Sequence, residues 1–422
     1  MSAPTVPGLL YRAPADLGPA RTPADGPARL ALPGVESPGW GLTDELALGF
    51  FAHASVSGVI EALQDAGLRG RGGAGFPAHI KWRTVADAPG PAVVVANGHE
   101  GEPASAKDRW LLTRRPHLVL DGLLLAARVV GADRAVVYVS SADSVAAATR
   151  AVADVTAAGL VPAWLRLEVF QTMQGYVAGE ETAVCRAING GPALPLAKPP
   201  RPFESGVDGR PTLVSNVETL AHAAWIVRHG AAAFRAAGTG DSPGTALFTL
   251  TGAGLDGGVV EAPLGTTVGE LFGAAGAPLQ GTTGLLMGGW FGGVLHGDLA
   301  ALRCCHAEVA ALGSGLGCAS ITVLGPDDDV LAVATELSGW YQAESARQCG
   351  VCINGTKAIH TTLTAMRDGD TNPEYREKLA RWGTTLPGRG ACAFLDGAAT
   401  LARSVAAELT RSTAQPGNGD PR

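Results

Sequence analysis

Arg69, Arg71 and Lys81 stand around five glycines, Gly67, Gly70, Gly72, Gly73 and Gly75, with Phe76 and Trp82 beside them. Glycine has no Cβ, so such a stretch can bring backbone N–H groups close to an anion. The cations suit a phosphate or carboxylate, and the two rings offer flat faces to a planar heterocycle. The chemistry implied is a nucleotide or flavin cradle. Gly70, Gly72 and Gly75 also spell G-x-G-x-x-G, which marks a dinucleotide fold only where it follows a strand and opens a helix. Here a helix over about 55–66 precedes it and Pro77 follows it, which disfavours that reading. The bland alternative is a flexible linker, but linkers are Ser- and Gly-rich without Arg and aromatic content.

Two acidic turns come next. Glu100 and Glu102 lie in Asn97-Gly98-His99-Glu100-Gly101-Glu102-Pro103, and Glu180 and Glu181 follow Gly179. Carboxylates in such turns accept hydrogen bonds from ribose or ribityl hydroxyls; the alternative is a solvated acidic turn. Lys198 opens a stiff Lys-Pro-Pro-Arg-Pro segment. Cys349 and Cys352 form a C-x-x-C, with Cys392 downstream in a Gly-rich loop. Cys185 reads as a buried structural thiol, and Cys304, Cys305 and Cys318 carry no assignable role. Seven cysteines, an odd number, suggest thiols or metal ligands rather than a disulfide framework.

The elements that position these residues alternate. Short apolar runs at 92–96, 134–139 and 165–171 read as strands, with helices over 107–131 (interrupted near Pro116) and 144–158, which implies a parallel α/β sheet. Residues 214–220 read as a helix start with Ser215 or Asn216 as N-cap. A hairpin at 246–250 and 259–262, a helix at 265–275 and a strand at 285–287 make a small β-grasp-like module. A strand at 321–324 then leads into helices around 330–344, 356–366, 373–382 and 398–410, a helical bundle. The expected division is an extended arm (1–40), an α/β domain (41–240), the β-grasp module (241–318), a helical domain (319–410) and a disordered tail (411–422).

Charged residues make up only 17% of 422, and the formal net charge is −7, which argues against a nucleic-acid surface. No apolar run reaches the roughly 18 residues of a membrane span, and there is no signal-peptide core. The expectation is a cytoplasmic protein.

Five motifs appear together: 67–82, 97–103 with Lys107-Asp108-Arg109, Gly179-Glu180-Glu181-Thr182-Ala183, Lys198-Pro199-Pro200 and Asn216-Val217-Glu218-Thr219-Leu220. In this order they resemble the NADH-binding, FMN-containing flavoprotein subunit of respiratory complex I and its relatives in soluble hydrogenases and formate dehydrogenases. The resemblance runs from about 50 to 400. It implies a Rossmann-like FMN/NADH domain, a β-grasp insert and a C-terminal four-helix bundle holding a [4Fe–4S] cluster. It implies FMN contacts from Gly70, Arg71, Gly72, Gly73, Lys81, Asn97, Glu100, Gly179, Glu180, Asn216 and Thr219. Phe76, Glu102, Glu181 and Lys198 would hold NADH, and Cys349, Cys352 and Cys392 would hold iron. Hydride would pass from nicotinamide to flavin without a side-chain acid or base. Electrons would leave through the cluster to a separate ferredoxin-like or thioredoxin-like iron–sulfur protein.

Three departures from the family pattern stand out. Ala346 replaces the first cysteine of Ser-Cys-x-x-Cys-x-x-Cys, leaving three thiolates for a [3Fe–4S] cluster, or for a [4Fe–4S] cluster with a solvent, Ser or partner ligand. An empty site or a Cys₃ zinc site are the alternatives there. His99 stands where the family carries Asp. Thr84 and Arg201 stand where aromatics are usual near adenine, which leaves NADPH open as donor. The rival functions are a clusterless NAD(P)H flavin reductase or diaphorase, and a degenerate scaffold subunit.

Overall fold

The computed structural model describes residues 13, 18–23, 26–35, 40–53, 55–252, 254–326 and 328–414. Most of the expected arm and tail therefore lie outside the described residues. Four parallel strands form one sheet: β1 (Ala92–Asn97), β2 (Ala132–Val139), β3 (Arg166–Gln171) and β4 (Thr212–Asn216), in the order β3-β2-β1-β4. β1 is apolar up to Asn97 because it is central and covered on both faces. The helix Pro116–Val130 packs on β1 and β2. Pro116 starts it without loss, since the first helical N–H has no partner anyway. Gly122 lets this helix approach Val217–His229: a Cβ there would stand 2.1 Å from Leu220 O.

A second sheet has five strands: β5 (Thr245–Gly252), β6 (Leu255–Pro263), β7 (Gly284–Met287), β8 (Val294–His296) and β9 (Ser320–Leu324). Their order is β6-β5-β9-β7-β8, with β9 parallel to β5 and antiparallel to β7. The strand expected to open the helical region is thus the middle of this sheet. Gly257 and Gly258, read as part of the hairpin turn, lie within β6. A capping box, Thr267 with Glu270, starts the helix Val268–Ala274.

Four helices follow: Val330–Glu344, Gly350–Arg367, Glu374–Thr385 and Phe394–Ala414. Leu337, Tyr341, Ile359, Leu363, Leu379, Leu395 and Leu401 fill the space between them. No described helix is long and apolar enough to cross a membrane.

The described part of the arm is fastened down. Glu261 Oε2, on β6, accepts the backbone N–H groups of Arg29, Leu30 and Ala31 at 2.9, 2.8 and 2.7 Å. Arg115, buried, binds Glu45 and the carbonyls of Arg29 and Leu30.

Candidate functional site

The chain leaves β1 for β2 and β3 on one side and returns to β4 on the other. The strand order therefore reverses at β1/β4, and ligands of open parallel sheets bind beyond the carboxyl ends at such a reversal. Asn97 and Asn216 end these two strands as register partners. The glycine loop lies against this point. It is closed by Gly70 N–H donating to Phe76 O (2.8 Å) and Ala78 N–H to Leu68 O (2.9 Å). A Cβ on Gly72 would stand 3.2 Å from Asn216 Cβ, so glycine is what lets the loop pack there. Gly73, at φ +114°, faces open space. Phe76 is half exposed (51%). Lys81 and Trp82 lie on the helix Ala78–Ala86, so the cradle read from sequence is half loop and half helix.

Arg71 turns inward instead of toward a ligand. Its N–H donates to Thr219 Oγ1 (2.8 Å) and its guanidinium to Thr245 O on β5 (3.0 Å). Beneath it lies a buried charge cluster. Lys107 Nζ stands 2.6 Å from Asp108 and 3.0 Å from Glu218, and Arg71 Nε is 3.9 Å from Glu218. Asn216 Nδ2 donates to Asp108 Oδ2 (2.7 Å). Burial works against the Glu218 carboxylate, but Lys107, His222 and Arg71 outweigh it and hold its pKa at about 2. Burial pushes Asp108 upward. Arg71 and Thr219 thus shape the loop from within.

Both acidic turns are bound to neighbouring groups. Asn97 Nδ2 donates to Gly179 O (2.9 Å), joining the two turns. Glu100 accepts Ser105 Oγ–H (2.6 Å) and the N–H groups of Asp108 and Arg109 (both 3.1 Å), capping the helix Lys107–Arg114. Glu102 accepts Trp290 N–H at 3.2 Å, and burial raises its pKa to about 7. Glu180 caps Glu181–Ile188 through the N–H groups of Thr182 and Ala183 and meets Lys198 at 2.6 Å. Glu181 meets Lys81 at 3.1 Å and Lys198 at 3.4 Å. The residues expected at Lys81, Gly179, Glu180, Glu181 and Lys198 therefore converge.

His99 is buried. Its Nε2–H donates to Gly175 O (2.8 Å), and among the described residues Nδ1 has no partner. Burial lowers its pKa, outweighing that hydrogen bond, so the ring is neutral and Nδ1 is an acceptor. Thr84 bonds back to Ile80 O within its helix, and Arg201 is exposed.

Cys349, Cys352 and Cys392 line one cavity with Ser345, Ala346, Phe394 and Pro195. Cys349 caps the helix Gly350–Arg367 and Cys392 lies two residues before Phe394–Ala414, so two helix N-termini meet at the cavity. That polarity suits a negative occupant. Among the described residues no three His, Cys, Asp or Glu side chains converge closely enough for a single metal ion. The donor set around this cavity, three thiols, is one that suits an iron–sulfur group. All seven cysteines are free.

Sequence reasoning assigned no site role to four neighbours of this site. Tyr176 stacks on Phe291 (4.6 Å) and reaches Phe394, which lines the cysteine cavity, at 5.4 Å. His306, from the second sheet's region, stands 3.0 Å from where a Gly75 Cβ would be. Lys107 and Asp108 form the buried cluster. Only the last pair carried a signal, as part of the Lys107-Asp108-Arg109 motif.

Residues 63–225 match the family model of the Nuo51 FMN-binding domain. Residues 332–413 match that of the NADH-ubiquinone oxidoreductase-F iron-sulfur binding region. The F 2 subunit of NADH-quinone oxidoreductase from Rhizobium meliloti is 32% identical over 360 residues, covering 82% of this chain and 86% of the relative. The F subunit from Aquifex aeolicus is 31% identical, covering 76% and 77%. A crystal structure of an air-oxidized NAD⁺-reducing [NiFe]-hydrogenase superposes with a TM-score of 0.76 at 31% identity over 89% of this chain. The match covers 66% of that hydrogenase chain, just under two thirds of its length.

Proposed function

This chain belongs to the family of NADH-quinone oxidoreductase F subunits, and we infer that it works as an FMN-dependent NADH oxidoreductase that delivers electrons to a partner protein. When bound, FMN supplies a two-electron acceptor that releases electrons singly, and an iron–sulfur cluster carries them onward. The observation that carries the reading is Gly72 packed on Asn216, which holds the glycine loop over the β1/β4 reversal.

In this reading the flavin takes the face that Gly73 leaves open, which a side chain there would fill, while Gly72 lets the loop pack on Asn216. Gly70, Arg71 and Thr219 fix the loop's shape. Asn97, Gly179 and Asn216 line its floor, and Glu100 acts through the helix it caps. Lys81 and Lys198 supply positive charge, with Glu180 and Glu181 holding them in place until a ligand competes. Phe76 offers its exposed face to the adenine of NADH. Glu181 and Glu102 favour a free ribose 2′-hydroxyl over a 2′-phosphate, which they would repel.

The second sheet is read as a β-grasp module, supported by its strand order and by β9 running parallel to β5 between the two hairpins. The four C-terminal helices are read as the iron–sulfur bundle, held by Cys349, Cys352 and Cys392. A ferredoxin-like or thioredoxin-like iron–sulfur protein is the proposed acceptor. A cytoplasmic location is part of the proposal, supported by seven free thiols. Ala346 favours one second reading, a flavin reductase without a cluster.

The test is an absorption spectrum with flavin, iron and sulfide assays on protein purified without oxygen, before and after NADH. Flavin bands that bleach, over broad iron–sulfur absorption, are expected. Flavin without iron would select the reductase, and absence of both would leave only a scaffold.

A further inference from the structure

The cysteine cavity has three thiols and a methyl group where a fourth ligand would be. The question is whether any other group of this chain takes the fourth corner. Ser345, buried beside Ala346, is the one hydroxyl lining the cavity. Its Oγ stands 3.4 Å from Cys352 Sγ and accepts the N–H of Arg347 at 3.3 Å. Atoms that ligate different irons of a cluster stand on different corners and cannot touch one another. Contact with Cys352 therefore places Ser345 on the corner Cys352 already occupies. Between the hydroxyl and a free thiol either group can donate, but toward a Cys352 thiolate only the Ser345 hydroxyl can.

The other polar residues lining the cavity do not change this. Gln348 is held outward, its amide donating to Pro195 O (2.7 Å) and its carbonyl accepting from Arg186 (3.2 Å). Arg347 is a cation and cannot ligate iron. The remaining wall is Ala346, Gly390, Ala391, Phe394 and Leu395, which offer no side-chain donor.

We propose that this chain holds a three-thiolate iron–sulfur cluster with one corner unligated by the protein, and that Ser345 is a hydrogen-bond donor to the Cys352 thiolate, not a ligand. The proposal rests on the iron–sulfur reading above. Giving one electron to an added one-electron oxidant, the [4Fe–4S]²⁺ core releases its unligated iron as Fe²⁺ and becomes [3Fe–4S]⁺. Once reduced by one electron from an added reductant to the neutral [3Fe–4S] core, it takes up one ferrous ion to give [4Fe–4S]²⁺, with no further electron required. Ser345 is a positioning residue, and its hydrogen bond raises the cluster's reduction potential.

The experiment uses the full chain, reconstituted with iron and sulfide without oxygen, with bound flavin as the check on folding. Samples are oxidised with ferricyanide and examined by EPR and Mössbauer spectroscopy, then reduced with dithionite and given ferrous iron. The wild type is expected to show the oxidised three-iron EPR signal and to lose it on iron uptake. Ala346→Cys should abolish that signal by keeping four irons through oxidation. Ser345→Ala should keep the wild-type iron count and shift the cluster potential to a more negative value. A wild type that retains four irons, or a Ser345→Ala variant that alone loses iron, would overturn the proposal. Iron bound by Ala346→Cys but not by the wild type would overturn it too. Iron bound by neither, with flavin present in both, would instead overturn the iron–sulfur reading beneath it.

Discussion

Lys81, on the helix after the glycine loop, and Glu181, which opens the helix Glu181–Ile188, meet at 3.1 Å across the candidate site. Burial pushes the Glu181 carboxyl up, but Lys81 and Lys198 outweigh it and hold its pKa below the ordinary value of 4.5. A carboxylate depressed in the folded state stabilises the protein above its unfolded pKa, and the gain is lost as pH falls through the folded value. Lys81→Met should therefore cost stability at neutral pH, up to about 1 kcal/mol for a partly exposed pair. The difference from wild type should close once pH drops below the carboxylate range. Urea unfolding at both pH values checks this; an equal difference at both would show that the pair is not electrostatically coupled.

Glu102 behaves in the opposite sense. Packed against Gly289 and bonded to Trp290 N–H, it titrates near 7, raised from 4.5 chiefly by burial. Between those two values the folded chain keeps a proton that the unfolded chain has released, so this group's contribution to stability falls as pH rises. Glu102→Gln should remove that slope: the variant gains on the wild type in urea midpoint from the lower end of the window to the upper. A constant offset would place the titration elsewhere.

His99 puts a neutral ring into a turn whose other side chains include the carboxylates of Glu100 and Glu102. Its backbone N–H donates to the side chain of Asn97, which lines the floor of the proposed flavin site, so His99→Asp adds a negative charge beside that floor. The flavin midpoint potential should then fall by on the order of 30 mV, equivalent to about 1.4 kcal/mol for a two-electron couple. Redox titration of the bound flavin reads it, and an unmoved potential would remove His99 from the flavin's surroundings.

Arg347 holds φ at +53°, a left-handed conformation that costs a residue with a Cβ. Arg347→Gly should stabilise by about 0.5 kcal/mol, part of the relief being offset by the greater freedom of unfolded glycine. Cluster content should be unchanged, since the Arg347 contribution to Ser345 comes from its backbone. Loss of iron in this variant would mean that the side chain itself guards the cavity.

The strands of the first sheet and the cysteine triad were legible in local patterns, because apolar runs and C-x-x-C spacing survive without tertiary context. β4 was not. Thr212–Asn216 runs directly into the helix Val217–His229, so the two periodicities merge, and only the N-cap role of Asn216 showed through. Yet β4 is what places Asn216 beside Asn97 and creates the reversal. The inward turn of Arg71 was equally hidden, since its partners, Glu218 and Thr245, lie far away in the chain. β9 read as the start of the helical region because nothing in Ser320–Leu324 names β5 and β7 as its neighbours.

The central place of β9 also sets an order of birth. During synthesis the first sheet is complete when residue 216 emerges, whereas β5 and β7 have no strand between them until residue 324. Domains close as they leave the ribosome, N-terminal parts first. The second sheet must therefore wait, as two separate hairpins, for about 30 residues after β8. The segment at 29–31 waits as well, because the carboxylate that anchors it belongs to β6. Nascent chains stalled before β9 should thus carry a protease-resistant first sheet and a protease-sensitive remainder. Resistance of both before β9 emerges would show that the hairpins find each other without it.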